Sequence, residues 1–208
     1  MTGRIVIDLF TTLDGVAQGP GGVDEDTSGG FRFSGWQAGH PSSGMGETVS
    51  KGMQQLDALL LGRRTYDIFA GYWPHHTEGP SGEIGRLFDR VPKYVASRDA
   101  DITLDWQKSH RVGGDLAVEI AELRARHREV HVIGSVDFVH SLLAEGLFDE
   151  LTLWVYPILL GTGKKVFDDG AMPSVLQLLE PPVADDSGVM LLRYGRTDRQ
   201  PEVGTFED

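Results

Sequence analysis

Three short segments carry the residues best suited to hold an anion, and all three place small or cationic residues directly after an apolar run. The first is Leu59-Leu60-Leu61-Gly62-Arg63-Arg64-Thr65, in which two guanidinium groups stand where a helix would begin. Cations in a first helical turn oppose the helix dipole, so their presence there points to an anion such as a phosphate on the free amides. Two solvated arginines on a surface turn are the alternative that these residues leave open. The second is Val95-Ala96-Ser97-Arg98, a hydroxyl and a guanidinium where a strand would end. The third is Val132-Ile133-Gly134-Ser135-Val136, where glycine allows close backbone approach and the next helix offers its N-terminus. Ligands of open α/β sheets lie outside the carboxyl ends of the strands. Three such ends are therefore expected to converge on one anionic cofactor.

Other chemistries are excluded by what the chain lacks. No G-x-G-x-x-G follows a strand and no G-x-x-x-x-G-K-[ST] occurs, which removes an ordinary Rossmann site and a P-loop. Gly161-Thr162-Gly163-Lys164-Lys165 lacks the P-loop frame and is expected to be a loop with structural glycines. There is no G-x-S-x-G elbow of a serine hydrolase. Asp24, Asp26 and Ser28 with Gly29 mimic the start of a calcium loop, but Gly35 stands where its bidentate Glu belongs. His75 and His76 are adjacent, and His127 with His131 straddles a helix end; the histidines are expected at the surface, and no metal is expected.

These segments need elements to position them, and hydrophobic periodicity supplies a βαβ alternation. Strands are expected over 5–10, 58–61, 92–97, 130–133 and 151–160. Helices are expected from Met45 through Leu56, over 63–73 with Pro74 as the stop, after an Asp115 N-cap with Leu116, Ile120 and Leu123 inward, and over 136–145. Residues 18–46, rich in Gly, Pro, Ser and acid, make a long loop expected to lie over a site. Residues 176–179 and 189–194 have no helix between them and are expected to pair antiparallel. The expected fold class is α/β, a mixed sheet with helices on both faces, as one domain over 1–208.

Composition sets the outer limits. The 208 residues carry a net charge of -12 and no cysteine. The charge argues against nucleic acid as a partner, and the missing thiols exclude disulfides, thiolate metal sites and a cysteine nucleophile. No window approaches the ~18 apolar residues of a membrane span, and MTGRIVIDLF lacks a secretory apolar run, so a cytoplasmic protein without membrane contact is expected.

Five blocks in this order, Thr12-Leu13-Asp14-Gly15, Leu60-Leu61-Gly62-Arg63-Arg64-Thr65-Tyr66, Ser97-Arg98, Ile133-Gly134-Ser135 and Pro157-Ile158-Leu159-Leu160-Gly161-Thr162-Gly163-Lys164, resemble the dihydrofolate-reductase-like superfamily. More narrowly, over about residues 4–196, the chain is similar to stand-alone relatives of the reductase domain of bifunctional riboflavin-biosynthesis deaminase-reductases. The resemblance implies a mostly parallel mixed sheet with a C-terminal antiparallel hairpin, and an NADPH site. Gly62, Arg63, Arg64 and Thr65 would hold the pyrophosphate and adenosine end, and Ser97 and Arg98 would lie beside the 2′-phosphate, which suits a planar guanidinium fork. Gly134, Ser135 and Val136 would face the pyrophosphate; Ser135 departs from the double glycine of dihydrofolate reductases. Val16 and Ala17 would line the nicotinamide pocket, with Asp14 in the turn.

Glu47 is the nearest counterpart of the family's catalytic carboxylate, and with Asp14 it forms the catalytic pair implied. Glu47 as a plain first-turn acid favoured by the helix dipole stays open. Trp36 and Trp73 are candidate pocket walls or core residues. The implied activity is hydride transfer from NADPH to a small heterocyclic or sugar-amine substrate, with a pyrimidine ribosylamine phosphate nearest and dihydrofolate or another pterin next. A chain without cysteine cannot carry the deaminase zinc site. A nucleotide-binding or interaction module without turnover is the alternative. A homodimer is implied too, since strand 189–194 would end in an exposed edge that relatives bury between subunits.

Overall fold

The protein is described here by a computed structural model covering residues 2–40, 45–79 and 81–205, without the side chains of residues 45–47. The first strand, β1 (Arg4–Thr12), alternates in the way a strand between two helical layers must. Ile5, Ile7 and Leu9 enter one apolar cluster, whereas Phe10 packs against the other. After a long loop come α1 (Met45–Gly52), the wholly apolar β2 (Ala58–Gly62) and α2 (Arg63–Tyr72). They are followed by α3 (Gly82–Arg90), β3 (Lys93–Ala96), β4 (Ser109–Val112) and α4 (Leu116–Arg126). The remainder is β5 (Glu129–Ile133), α5 (Val136–Glu145), β6 (Glu150–Tyr156), β7 (Leu176–Leu178), β8 (Val183–Ala184) and β9 (Met190–Arg196).

Among the described residues nine strands form one sheet in the order β4-β3-β2-β5-β1-β6-β9-β7, with β8 also on β9. Pairing is parallel from β4 to β6 and antiparallel where β9 meets β6, β7 and β8. The expected mixed, mostly parallel sheet is thus the one observed. Ile120 and Leu123 of α4 and Val139 and Leu142 of α5 cover one face; Val49 of α1, Tyr66 of α2 and Phe88 of α3 cover the other. The Asp115 carboxylate caps α4 by accepting from the Val118 amide at 3.1 Å.

Several expectations are corrected. The strand expected over 151–160 ends at Tyr156, because Pro157 cannot donate to a ladder. Helix α3 and edge strand β4 were not expected. The two glycines of α3 lower helix propensity, and β4 reads Ser-His-Arg-Val with a single apolar residue. Strand β9 is not an exposed edge, since β6 pairs on one side and β7 and β8 on the other.

The glycines of α3 serve packing. A Cβ on Gly85 would stand 2.1 Å from the carbonyl oxygen of His76, so only glycine lets the helix dock on the turn at 73–75. Gly85→Ala is expected to lower stability by about 1–3 kcal/mol, the usual cost of forced overpacking, read as a lower urea midpoint at constant slope.

His131 is not at the surface as expected. It is 2% exposed on β5, beneath α1, with Nδ1 2.5 Å from Asp8 Oδ2 and Nε2 2.9 Å from Glu129 Oε1. Arg4 pairs with Glu129 and Glu150, and Arg193 with Glu150 and Glu180, which extends the network across four strands. Burial alone would favour the neutral imidazole, but the Asp8 and Glu129 carboxylates outweigh it and lift its pKa to about 9.

Candidate active site

Strands β3, β2 and β5 are neighbours and parallel, so their carboxyl ends lie side by side. The chain leaves them at Ser97, Gly62 and Gly134, the three corners expected to converge. They do: all three line a single cleft of about 1270 Å³.

Hydrogen bonds stitch two of these corners together. The Ser135 hydroxyl accepts from the Gly62 amide at 3.0 Å and donates to the Ile133 carbonyl at 3.2 Å. The Ser135 amide in turn donates to the Thr65 hydroxyl at 3.0 Å. Gly134 and Ser135 are both left-handed, with φ of 60° and 57°. That conformation costs a serine about 1 kcal/mol, and the three bonds hold it. Helices α2 and α5 start at these corners and present the amides of their first residues to the same hollow; in α5 these are the amides of Val136 and Asp137, since that of Phe138 donates to the Ser135 carbonyl at 2.8 Å. Neither helix has a side-chain cap.

Four cations stand around the cradle. Arg63 Nε donates to Asp67 within α2 at 2.8 Å, and the pair raises its pKa. Arg64 Nη1 reaches both oxygens of Asp26 at 3.0 and 3.1 Å and the Ser28 hydroxyl at 2.8 Å. Lys164 Nζ lies 3.3 Å from Asp26 and 2.8 Å from Asp137. Burial resists ionisation of Asp26, but its bonds from Ser28 and Arg64 and the charge of Lys164 prevail and hold its pKa near 2. Arg98 is exposed, and among the described residues no carboxylate pairs with its guanidinium.

The first long loop reaches the cleft at residues 17–26, as expected of a loop over a site. It is tied down by its own polar groups. Trp36 Nε1 donates to the Gln18 carbonyl at 2.9 Å, and Gln18 Nε2 donates to the carbonyls of Asp26 and Ser28. Trp36 is therefore a buried anchor, packed edge-on against Tyr156 at 5.2 Å, whereas Trp73 lines the cleft.

The expected site residues divide accordingly. Gly62, Arg63, Arg64 and Thr65 line the cleft with Ser97, Arg98 and Ala17, and so do Gly134, Ser135 and Val136. Val16 lies behind them, fully buried in the core. Asp14 is outside the cleft lining. Its carboxylate accepts from the Thr12 hydroxyl at 2.6 Å and from the Gly161 and Leu160 amides at 2.7 and 3.2 Å. Burial opposes its charge, and these bonds more than compensate, so its pKa is lowered. Asp14 clamps the turn after β1 to the loop after β6. The side chain of Glu47, on α1, lies outside the described residues.

The model of the RibD C-terminal domain matches residues 4–189, from the start of β1 to the residue before β9. The chain belongs to the RibD C-terminal domain family. An uncharacterized protein of Bacillus subtilis, YyaP, is 27% identical over 168 residues, covering 80% of this chain and 81% of YyaP. Among solved structures, a putative riboflavin biosynthesis protein from Shewanella superposes with a TM-score of 0.69 at 22% identity, over 93% of this chain and 99% of its own. A pyrimidine reductase-like protein from Corynebacterium diphtheriae gives 0.63 at 15% identity, over 95% and 93%. Acinetobacter baumannii RibD gives 0.61 at 16%, over 95% of this chain and 59% of that one. These structures share the fold, and the expected kinship with the reductase domain of riboflavin biosynthesis stands.

Within the RibD C-terminal domain frame, the chain order did not assign a role to every cleft residue. Lys164 closes one of the blocks that carry the family resemblance but lies in a loop expected to be structural, and Asp26 lies in the long loop expected over the site without being singled out as part of the cradle. Both reach the cradle because the loops after β1 and β6 are bridged by Val16 and Lys165. Trp73 lines the cleft as one of the two expected wall candidates, whereas Phe69 and Phe88, which pack on it, had no signal in the chain order, because Phe88 belongs to α3, which the periodicity did not show.

Proposed function

We propose that this chain is an NADPH-dependent reductase acting on a small heterocyclic or sugar-amine substrate, with residues 1–208 working as one domain. The observation that carries the reading is the convergence of Gly62–Thr65, Ser97–Arg98 and Gly134–Val136 on one cleft. The donor set fits a phosphorylated dinucleotide: two helix N-termini, two hydroxyls and a guanidinium that has no carboxylate partner among the described residues. Thr65 and the first turns of α2 and α5 would hold the pyrophosphate, and Ser97 and Arg98 the 2′-phosphate. The dinucleotide, when bound, supplies a hydride; the protein supplies position and a dry wall. Reduction of a pyrimidine ribosylamine phosphate is the nearest named activity, and reduction of dihydrofolate or another pterin the next.

Titration with NADPH, followed by nicotinamide fluorescence, tests the site. Saturable enhancement is expected, and its absence at high protein concentration overturns the reading. One observation favours a binding module instead: the Asp14 carboxylate is consumed by loop hydrogen bonds. Binding without loss of NADPH absorbance across pyrimidine, pterin and quinone acceptors would support that module.

Asp26 bridges two of the cradle's cations and would compete with an incoming phosphate for Arg64. Asp26→Asn is expected to tighten NADPH binding about 3- to 10-fold, with a steeper salt dependence; weaker binding would show that the carboxylate is needed to shape the cradle.

We also propose a homodimer. Leu178 and Leu179 near β7, Val183 on β8 and Met190 on β9 are apolar and exposed at the antiparallel end of the sheet, a surface suited to a second copy. A monomeric mass by light scattering at micromolar concentration would rule this out. Among the described residues no helix is long and apolar enough to cross a membrane, in keeping with the proposed cytoplasmic location.

A further inference from the structure

The cleft is electrically lopsided. Its cationic lining residues, Arg63, Arg64, Arg98 and Lys164, all stand around the cradle of strand ends. Where the cleft runs on over the sheet face that bears α1, α2 and α3, its wall is Phe10, Val49, Met53, Phe69, Trp73 and Phe88. No side chain in that wall carries a formal charge. Lys51, the cation of α1, lines a separate cavity of about 240 Å³ with Glu129, Glu150 and Glu180, divided from the cleft by Val49 and Met53.

Size leaves room for a second molecule here. Ligand sites typically occupy roughly 300–1,000 Å³, and this cleft exceeds that range. The rings of the wall pack on one another. Phe69 and Phe88 stack at 5.8 Å, and Trp73 meets them edge-on at 5.9 and 5.1 Å. A phosphate or carboxylate pressed against such a surface would lose its hydration with no cation to replace it. The net charge of -12 would repel it further. A flat, uncharged ring loses little hydration and gains the aromatic contacts.

We propose that the second ligand of this cleft is a planar, uncharged ring compound carrying neither phosphate nor carboxylate, held against Phe69 and Trp73, which pack on the buried Phe88. The proposal rests on the dinucleotide reading for the occupant of the cationic end. Within the proposed substrate class it selects a bare heterocycle over a ribosylamine phosphate, and over a pterin with an acidic tail.

The test uses a pair of probes that share one ring system and differ by a phosphate. Protein saturated with NADP⁺ is first titrated with the neutral dye N-phenyl-1-naphthylamine, whose emission rises in apolar surroundings. The dye is then displaced with riboflavin or with flavin mononucleotide. Dye uptake is expected, with riboflavin displacing it at a concentration at least about tenfold lower than the phosphorylated form. Parity or preference for the phosphorylated form, failure of riboflavin to displace, or no dye uptake overturns the proposal. Dinucleotide binding is read separately from nicotinamide fluorescence. If NADPH does not bind, the cofactor reading fails, and the same flavin ratio on the Arg64→Ala/Arg98→Ala variant still decides the question of charge.

Discussion

Arg98→Ala is expected to weaken NADPH binding roughly 10- to 100-fold while moving NADH by less than about twofold. Hydrogen bonds to charged groups are worth about 1.5–3 kcal/mol, and each 1.4 kcal/mol is a factor of ten. NADH lacks the 2′-phosphate and makes no such contact, so the difference between the two nucleotides isolates this corner of the cradle. Arg98 suits the assignment because it stands at the end of β3, beside the Ser97 hydroxyl, without a carboxylate partner among the described residues. Arg64→Ala should shift the same preference by less, because its guanidinium already shares Asp26 and a phosphate would have to displace that carboxylate. Equal losses of NADPH and NADH in both variants would contradict the 2′-phosphate assignment. Isothermal titration of both nucleotides at two salt concentrations makes the measurement.

His131→Ala carries the largest expected effect on stability. Removing the imidazole takes a partner from both Asp8 and Glu129, in a region where the histidine is 2% exposed. Breaking a buried pair in this way costs about 3–5 kcal/mol, a fall in melting temperature of roughly 6–20 °C for a chain of this size. The pH dependence has a definite sign. The folded-state pKa is raised from an ordinary 6.5 to about 9, so protonation of His131 stabilises the native state fully below pH 6.5. That contribution is lost as pH rises through 9. Wild-type stability should therefore fall between pH 6.5 and 9, and the gap to His131→Ala should close over the same interval. A gap that is constant with pH would show that packing, and not the charge, holds the site. At the acid end, Asp26 acts in the opposite sense, since its depressed pKa stabilises the native state above about pH 3.8 and fades as pH falls through 2.

The parallel strands and the three anion-facing corners are legible in the chain because each is coded locally. Ala58 to Leu61 is apolar without a break, as a strand covered on both faces must be, and the glycines and hydroxyls that follow β2, β3 and β5 mark where the chain leaves the sheet. The placement of Asp14 is not local. Its position suggested a catalytic acid as readily as a turn, and its hydrogen bonds to Leu160 and Gly161 span more than 140 positions of sequence. His131 shows the same limit. In the sequence it is a polar residue within a short apolar run, and its burial follows from α1 and from carboxylates on β1 and on its own strand.

From its residues alone, this protein is determined to be an alternation of strands and helices with glycine, hydroxyl and guanidinium groups at successive strand ends. Hydrophobic period and turn chemistry act over a few residues, so they can be read in order. Which ends become neighbours, that Arg64 and Lys164 meet at Asp26, and that Phe69 and Trp73 line the same cleft were decided by the tertiary structure. Those relations depend on strand order, on the bridge between the loops after β1 and β6, and on the docking of α3 through Gly85, and each joins groups that the chain itself keeps apart.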